Sequence, residues 1–524
     1  MRVPGRCITA LLMLAILLLT LPGEALAHGF GVRYDIPVPF WLYAYGAAAA
    51  VVLTFVLLVD TKPAPHRYPR FDLLQVGWFR AVFASRPLLL GVRLVSVALF
   101  SLVILSGLFG DQTPESNLAP TFVWIIWWVG LAFFTVLLGN LWELVNPWEI
   151  LFEWAQVLAP RLRKRQYLPY PVGWGLWPAL VLYFGFAWVE LVFLGSSRPS
   201  NIAVLALLYS AITLAGMALF GKEAWLRGGE AFSVFFGILA RFAPTEVRVT
   251  DPDVCKGCDA PCQNADGGCV NCYGCFAKAP PEDRQFNVRP PAVGLSRPEA
   301  LTADRLAFVV FMLAIVTYDG LMATPLWFRV RTLATPVVEV LGIPGIGGLY
   351  LIQTLGLISV PLLFLAAYLG FVKLAQVLSG GTTSAWSFAA AYAYTLVPIA
   401  LAYQAAHYYT LLVIQGQAAL ALVSDPFGWG WNLFGTADYE VNVGVLSADF
   451  VWYSQVALIV VGHVIAVYLA HGIALRLLQN QKQAVRSQYP MLALMVLYTV
   501  FSLWILNQPV ISEMKVASAL VNLV

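Results

Sequence analysis

The chain has 524 residues, of which 60% are hydrophobic and only 11% charged, with a formal net charge of +3. A soluble domain carries about 25% charged residues, so this composition excludes an ordinary soluble globular protein. The small net charge, with no basic stripe or stacking motif, argues against a nucleic-acid partner. The 18 Trp and 22 Tyr suit the aromatic belts of a chain that meets two membrane–water interfaces. The expected fold class is an all-α polytopic membrane protein, and its first partner is the lipid bilayer.

Residues 1–27 read as a cleaved signal peptide. Arg2 and Arg6 make the basic start, "ALLMLAILLLTL" the short apolar run, and Ala25 to Ala27 the small-residue cleavage site. Cleavage leaves His28 as the mature N-terminus, outside the cytoplasm. A first-residue His offers an α-amine and an imidazole together, which makes His28 a candidate copper ligand.

A helix needs about 20 apolar residues to cross the hydrocarbon layer. Ten runs qualify, giving about 10 transmembrane helices: 38–59, 87–109, 120–141, 173–195, 201–220, 306–326, 350–378, 384–420, 449–474 and 489–510. They divide the chain into an N-terminal membrane half (28–220), a loop (221–305) and a C-terminal membrane half (306–524). The eighth run is too long for one straight crossing, and a kink is expected at Pro398. "AFSVFFGILARF" in the long loop reads as a helix lying on or dipping into the membrane, and "NPWEILFEWAQVLAPRLRKR" looks similar.

With His28 outside, the loops 60–86, 142–172, 221–305, 379–383 and 475–488 fall inside, and they carry "KPAPHRYPRF", "PRLRKRQY", "GKEAWLR" and "LRLLQNQKQAVR". The outer loops "DQTPESNLAP" and "SDPFGWGWNLFGTADYE" have no Lys or Arg. This is the positive-inside pattern. It predicts a bacterial inner-membrane protein whose long loop is cytoplasmic.

That loop contains six cysteines: Cys255, Cys258, Cys262, Cys269, Cys272 and Cys275. A reducing cytoplasm disfavours stable disulfides and favours thiolate ligation. The pairs Cys255/Cys258 and Cys272/Cys275 have the C-x2-C spacing that turns both sulfurs toward one tetrahedral ion, so zinc is expected. "CVNCYGC" also resembles half of a bacterial ferredoxin motif, but Ala279 stands where a fourth Cys would precede Pro280. An iron–sulfur cluster is the alternative, and redox or disulfide chemistry a third. With four or more thiolates, no coordination position is left open for catalysis.

Ionisable residues inside spans are costly and commonly functional. Glu190, Asp319 and His407 fall in the outer half of their spans and His463 near mid-depth. Together they form a candidate catalytic set that could also hold a second metal, because His nitrogen with carboxylate oxygen suits catalytic zinc. Each could instead make only a helix–helix hydrogen bond. Arg93 and His471 read as interfacial groups.

Several blocks together resemble a family of bacterial multi-pass membrane proteins known as fenitrothion hydrolase. They are "HGFGVRYDIPVPFWLYAYGAA", "NLAPTFVWIIWWVGLAFFTVLLGNLWELVNPW", "FAWVELVF", "GMALFGKEAWLRGGEAFSVFFGILARFAP", "TYDGLMATPLW", "LVPIALAYQAAHYYTLLVIQGQ" and "VGHVIAVYLAH". The six cysteines depart from the family pattern. The resemblance implies hydrolysis of an organophosphorus triester at its phosphorus–aryl-oxygen bond by metal-activated water. His407, His463, Asp319 and Glu190 would hold the metal or act as base, and the lipophilic small-molecule substrate would enter from the bilayer. Two other expectations stand beside it. One is a non-enzymatic subunit, with a partner membrane subunit, of a redox or metal-handling complex using copper, haem or iron–sulfur. The other is a transporter in which Asp319 and Glu190 carry protons.

Overall fold

The computed structural model describes residues 39–508 apart from 60–67, 84, 160–167, 257–261, 264–266, 298–300, 382 and 479. The expected signal peptide, His28 and Cys258 lie outside the described residues. In chain order the principal helices are α1 (Phe40–Leu58), α2 (Arg86–Phe109), α3 (Leu118–Leu137), α4 (Pro147–Leu158), α5 (Trp177–Leu191), α6 (Pro199–Phe220), α7 (Ala231–Leu239), α8 (Ala303–Met322), α9 (Gly345–Leu378), α10 (Ala385–Ser424), α11 (Ala448–Leu477) and α12 (Gln481–Leu506). Nine of these, all but α4, α5 and α7, are long and apolar enough to cross a membrane. Helices apolar on every side are stable only inside a protein core or in lipid. The chain is an all-α polytopic membrane protein.

α5 occupies the fourth expected span but has only 15 residues. That is about 22 Å of helix, short of the hydrocarbon thickness. α10 is interrupted, but not at Pro398. A 3₁₀ turn at Ala393–Leu396 precedes the regular helix Val397–Ile414, and Pro398 sits in that helix's first turn. There its missing N–H would have had no partner anyway. Within α3, Thr121–Gly130 is wound as a π-helix, a form found mostly at functional sites.

Part of the long loop, joined by a short strand from the 60–86 loop, folds as a four-stranded antiparallel sheet: β1 (Phe71–Asp72), β2 (Thr245–Val249), β3 (Cys269–Val270) and β4 (Arg284–Val288), in the order β1-β4-β2-β3. Thr245 faces Val288, and Val249 faces both Arg284 and Cys269. The sheet sits at one end of the bundle. Thr245 Oγ1 donates to Leu138 O just past α3 (2.5 Å), and Arg476 in the last turn of α11 donates to Ser296 O (3.0 Å). At the opposite end the 110–118 and 425–446 loops meet, with Asp111 N donating to Phe427 O (2.8 Å).

α7 is the loop's apolar stretch. It does not lie on a surface: Ala231, Phe232, Val234, Phe235, Phe236, Ile238 and Leu239 are all buried. Phe232 packs edge-on against Trp127 (4.6 Å between centroids), and Phe235 lies 4.9 Å from Trp128. Phe236 lies 5.5 Å from Trp142. α7 is therefore a short re-entrant helix enclosed by protein.

Candidate functional site

α8 and α10 bring Asp319 and His407 together. His407 Nε2 lies 2.9 Å from Asp319 Oδ2, and the Tyr408 hydroxyl donates to the same oxygen at 2.5 Å. Consecutive residues of α10 thus converge on one carboxylate. The side chains of His407 and Asp319 keep 14% and 23% of their surface, so the pair is reachable and not sealed in the core. Gly320 makes the approach feasible. A Cβ there would stand 2.4 Å from the Tyr403 hydroxyl and 2.9 Å from Ile505.

Glu190 on α5 belongs to the same neighbourhood. Its Oε1 accepts from Trp128 Nε1, on the π-helical segment, at 2.8 Å. It lies close enough to Asp319 and Tyr408 for their charges to interact. His463 does not join them. Its Nδ1 bonds Ile459 O at 2.8 Å, one turn back on α11, and its Nε2 has no hydrogen-bond partner among the described residues. Two tyrosines separate it from His407. The Tyr403 ring stacks on His407 (6.1 Å) and lies 6.5 Å from Tyr498, which lies 5.9 Å from His463. The reason is packing. Gly462 brings α11 so close to α10 that a Cβ there would fall 2.2 Å from Ala402 Cβ. His463 is then left facing Tyr498.

Of the four expected residues, three are neighbours and the fourth is offset. No set of three His, Cys, Asp or Glu donors within 4.8 Å forms here among the described residues. Tyr408 and Trp128 are functional neighbours that sequence reasoning missed. Gln417 ties the 425–446 loop to α10, accepting from Tyr439 OH at 2.9 Å. Arg93 pairs with Glu153 of α4, and His471 is buried with Nδ1 3.0 Å from Gln488 Oε1.

About two helical turns along α8 and α10 from Asp319 and His407, the helices α8, α9, α10 and α12 leave an apolar cleft of about 300 Å³ that none of Asp319, His407, Tyr408 and Glu190 lines. Leu313, Phe364, Ile399, Met495 and Tyr498 line it. Its volume is at the lower end for a small-molecule site.

The sheet end is held by charge. Arg289 and Glu246 are both buried, and Arg289 Nη1 donates to Glu246 Oε2 at 2.8 Å. Arg289 also donates to the carbonyls of Ala240 and Arg241, just beyond α7. Lys222 bridges Glu149 (2.7 Å) and Glu153 (2.6 Å). Burial lowers the Lys222 ammonium, but the two carboxylates override it and hold it above the ordinary lysine range. Nearby, burial together with Glu149 and Glu223 pushes the Glu143 carboxyl up to about 8.

The cysteines gather beside this sheet. Cys255 ends a short helix (Pro252–Cys255), Cys269 opens β3, and Cys275 lies in the helix Tyr273–Lys278. Donor atoms of these three all lie within 4.8 Å of one another, and this group could bind a metal. Cys255 and Cys269 are also disulfide-bonded. Cys262 and Cys272 are half-buried in the same small cluster. The C-x2-C pairing expected of Cys272 and Cys275 is thus not what defines the group. Cys269 stands in it, delivered by the strand.

Comparison with protein-family models, with curated proteins and with solved structures found no match for this chain.

Proposed function

We propose that the chain is a membrane-embedded hydrolase of lipophilic organophosphorus triesters, as the family resemblance implies, working through the Asp319–His407 pair. The observation that carries the reading is the 2.9 Å contact between His407 Nε2 and Asp319 Oδ2 in a reachable position between apolar helices. With its proton on Nε2, His407 donates to the carboxylate, and Nδ1 takes the proton of a water. Asp319 fixes this tautomer and stabilises the imidazolium that forms. The water oxygen attacks phosphorus opposite the aryl oxygen, the phosphorus–aryl-oxygen bond breaks, and a nitroaryl oxide leaves without acid help. Tyr408 holds the carboxylate in place, and Trp128 holds Glu190 beside the site. Asp319 and His407 engage each other directly, so this mechanism assigns them no metal.

In this reading the cysteines hold zinc, with an iron–sulfur cluster as the alternative. The ion staples a loop with too little apolar sequence for its own core. The protein would sit in a bacterial inner membrane with the sheet end in the cytoplasm.

The test is release of a nitroaryl oxide from a nitroaryl phosphotriester by membranes containing the protein. Asp319→Asn and His407→Ala should each cut the rate about 10²–10⁴-fold. Absence of hydrolysis by the unmodified protein, or full activity in both variants, rejects the proposal.

One observation favours a second reading. α7 re-enters the bundle and α10 is interrupted at Ala393–Leu396, a discontinuous-helix pattern used by transporters. Proton movement into proteoliposomes without any hydrolysis would decide for transport.

A further inference from the structure

The sulfurs beside β3 have two uses that exclude each other. Cys255 and Cys269 are disulfide-bonded, yet with Cys275 they form a donor set within 4.8 Å. Zinc-type ligation requires each sulfur as a thiolate about 2.3 Å from the ion. A disulfide sulfur carries no such charge, so the pair can serve the ion or the bond but not both. The three also differ in access. Cys255 and Cys269 are each 1% exposed, whereas Cys275 is half-buried. The loop charges predict a reducing compartment, where disulfides are transient and redox-sensing.

We propose that this cluster is a hydroperoxide-responsive metal switch. As thiolates, Cys255, Cys269 and Cys275 share a zinc-type divalent ion. Oxidation by a hydroperoxide expels the ion and leaves the Cys255–Cys269 disulfide.

Exposure makes Cys275 the point of entry. Its thiolate attacks the peroxide, forming a sulfur–oxygen bond and breaking the oxygen–oxygen bond. The released hydroxide takes a proton and leaves as water. The Cys269 thiolate then attacks the Cys275 sulfur, and the sulfenic oxygen leaves as hydroxide and takes a second proton. Cys255 next attacks the Cys269 sulfur and returns Cys275 as thiolate. In total two thiolates lose two electrons, one hydrogen peroxide becomes two waters, and two protons are consumed. The Cys255–Cys269 bond thus takes two of the three thiolates from the ion. A thiol reductant reverses the change.

The experiment uses the purified full chain in detergent, reduced and loaded with zinc alone. Hydrogen peroxide should lower bound zinc about tenfold, and a non-reducing peptide map should show Cys255 linked to Cys269. Reductant plus zinc should restore both. Cys275→Ser should bind zinc at least about tenfold more weakly, since even outer-shell changes cost that much. It should also react with peroxide correspondingly more slowly, while still forming the Cys255–Cys269 bond under a direct disulfide-forming oxidant. That last result shows that the variant is folded at the site. Zinc retained after the thiols are oxidised would overturn the proposal. So would a principal disulfide between other cysteines, Cys275→Ser reacting at the unmodified rate, or iron and sulfide in place of zinc in the isolated protein.

Discussion

Asp319 depends on the residue that follows it. Gly320 leaves room for the Tyr403 hydroxyl and Ile505, and a methyl group there would overlap both. Gly320→Ala should lower stability by about 1–3 kcal/mol, the usual cost of overpacking, seen as an earlier thermal transition in detergent. Tyr408→Phe removes one of the two hydrogen bonds on Asp319 Oδ2. Such a bond to a charged group contributes about 1.5–3 kcal/mol, so the nitroaryl release rate should fall about tenfold or more with little change in KM. Asp319, His407 and Glu190 were legible because ionisable residues in apolar runs stand out. Tyr408 was not, because an aromatic beside lipid-facing residues reads as part of an interfacial belt. Its signal was position, directly after a histidine within an apolar run. His463 was legible as unusual but not as offset, since only the tight α10–α11 contact at Gly462 decides which way it faces.

Among the elements, α7 links the two ends of the argument. Its N-terminus is capped by Glu230, which is buried and accepts from Phe232 N (2.9 Å), Ser233 N (2.6 Å) and the Tyr209 hydroxyl (2.5 Å). Glu230→Ala leaves those donors without their acceptor and should cost about 1–2 kcal/mol in thermal unfolding, the upper range for a lost cap. Past its C-terminus, Arg289 ties α7 to β2 through Glu246. Arg289→Met removes one charged partner of the buried Glu246 carboxylate, leaving Arg248 Nε and the Tyr68 hydroxyl on it, and should cost about 1.5–3 kcal/mol in thermal unfolding, the range for a hydrogen bond to a charged group. The long apolar helices were readable from length and hydropathy alone. The sheet was not read, although "TEVRV" and "RQFNV" carry strand-like residues. Strands of two to five residues in a Gly- and Pro-rich loop gain their stability from cross-strand partners distant in sequence. Likewise the Cys group was legible as a metal candidate from composition, but its membership was set by strand pairing, which places Cys269 opposite Val249.

At the scale of the molecule, orientation is the property on which the chemistry of both sites depends. If the sheet end faces a reducing compartment, the cysteines can act as thiolates; if it faces an oxidising one, the disulfide is permanent. The described residues at the sheet end include Lys222, Arg248, Arg284, Arg289 and Arg476, while the 425–446 loop has no Lys or Arg. The opposite end is not free of positive charge, however, since Arg198 precedes α6 and Arg329 and Arg331 lie in the helix Pro325–Val340. Short loops dominate the charge rule, and the far-end cations are few and scattered against those at the sheet end. The balance predicts that the sheet end faces the cytoplasm. Alkaline phosphatase, which is active only after export, should be active when fused in the 425–446 loop and inactive when fused at residue 480. The reverse pattern would put the cysteines on the oxidising side, and would reject both the thiolate site and the switch built on it.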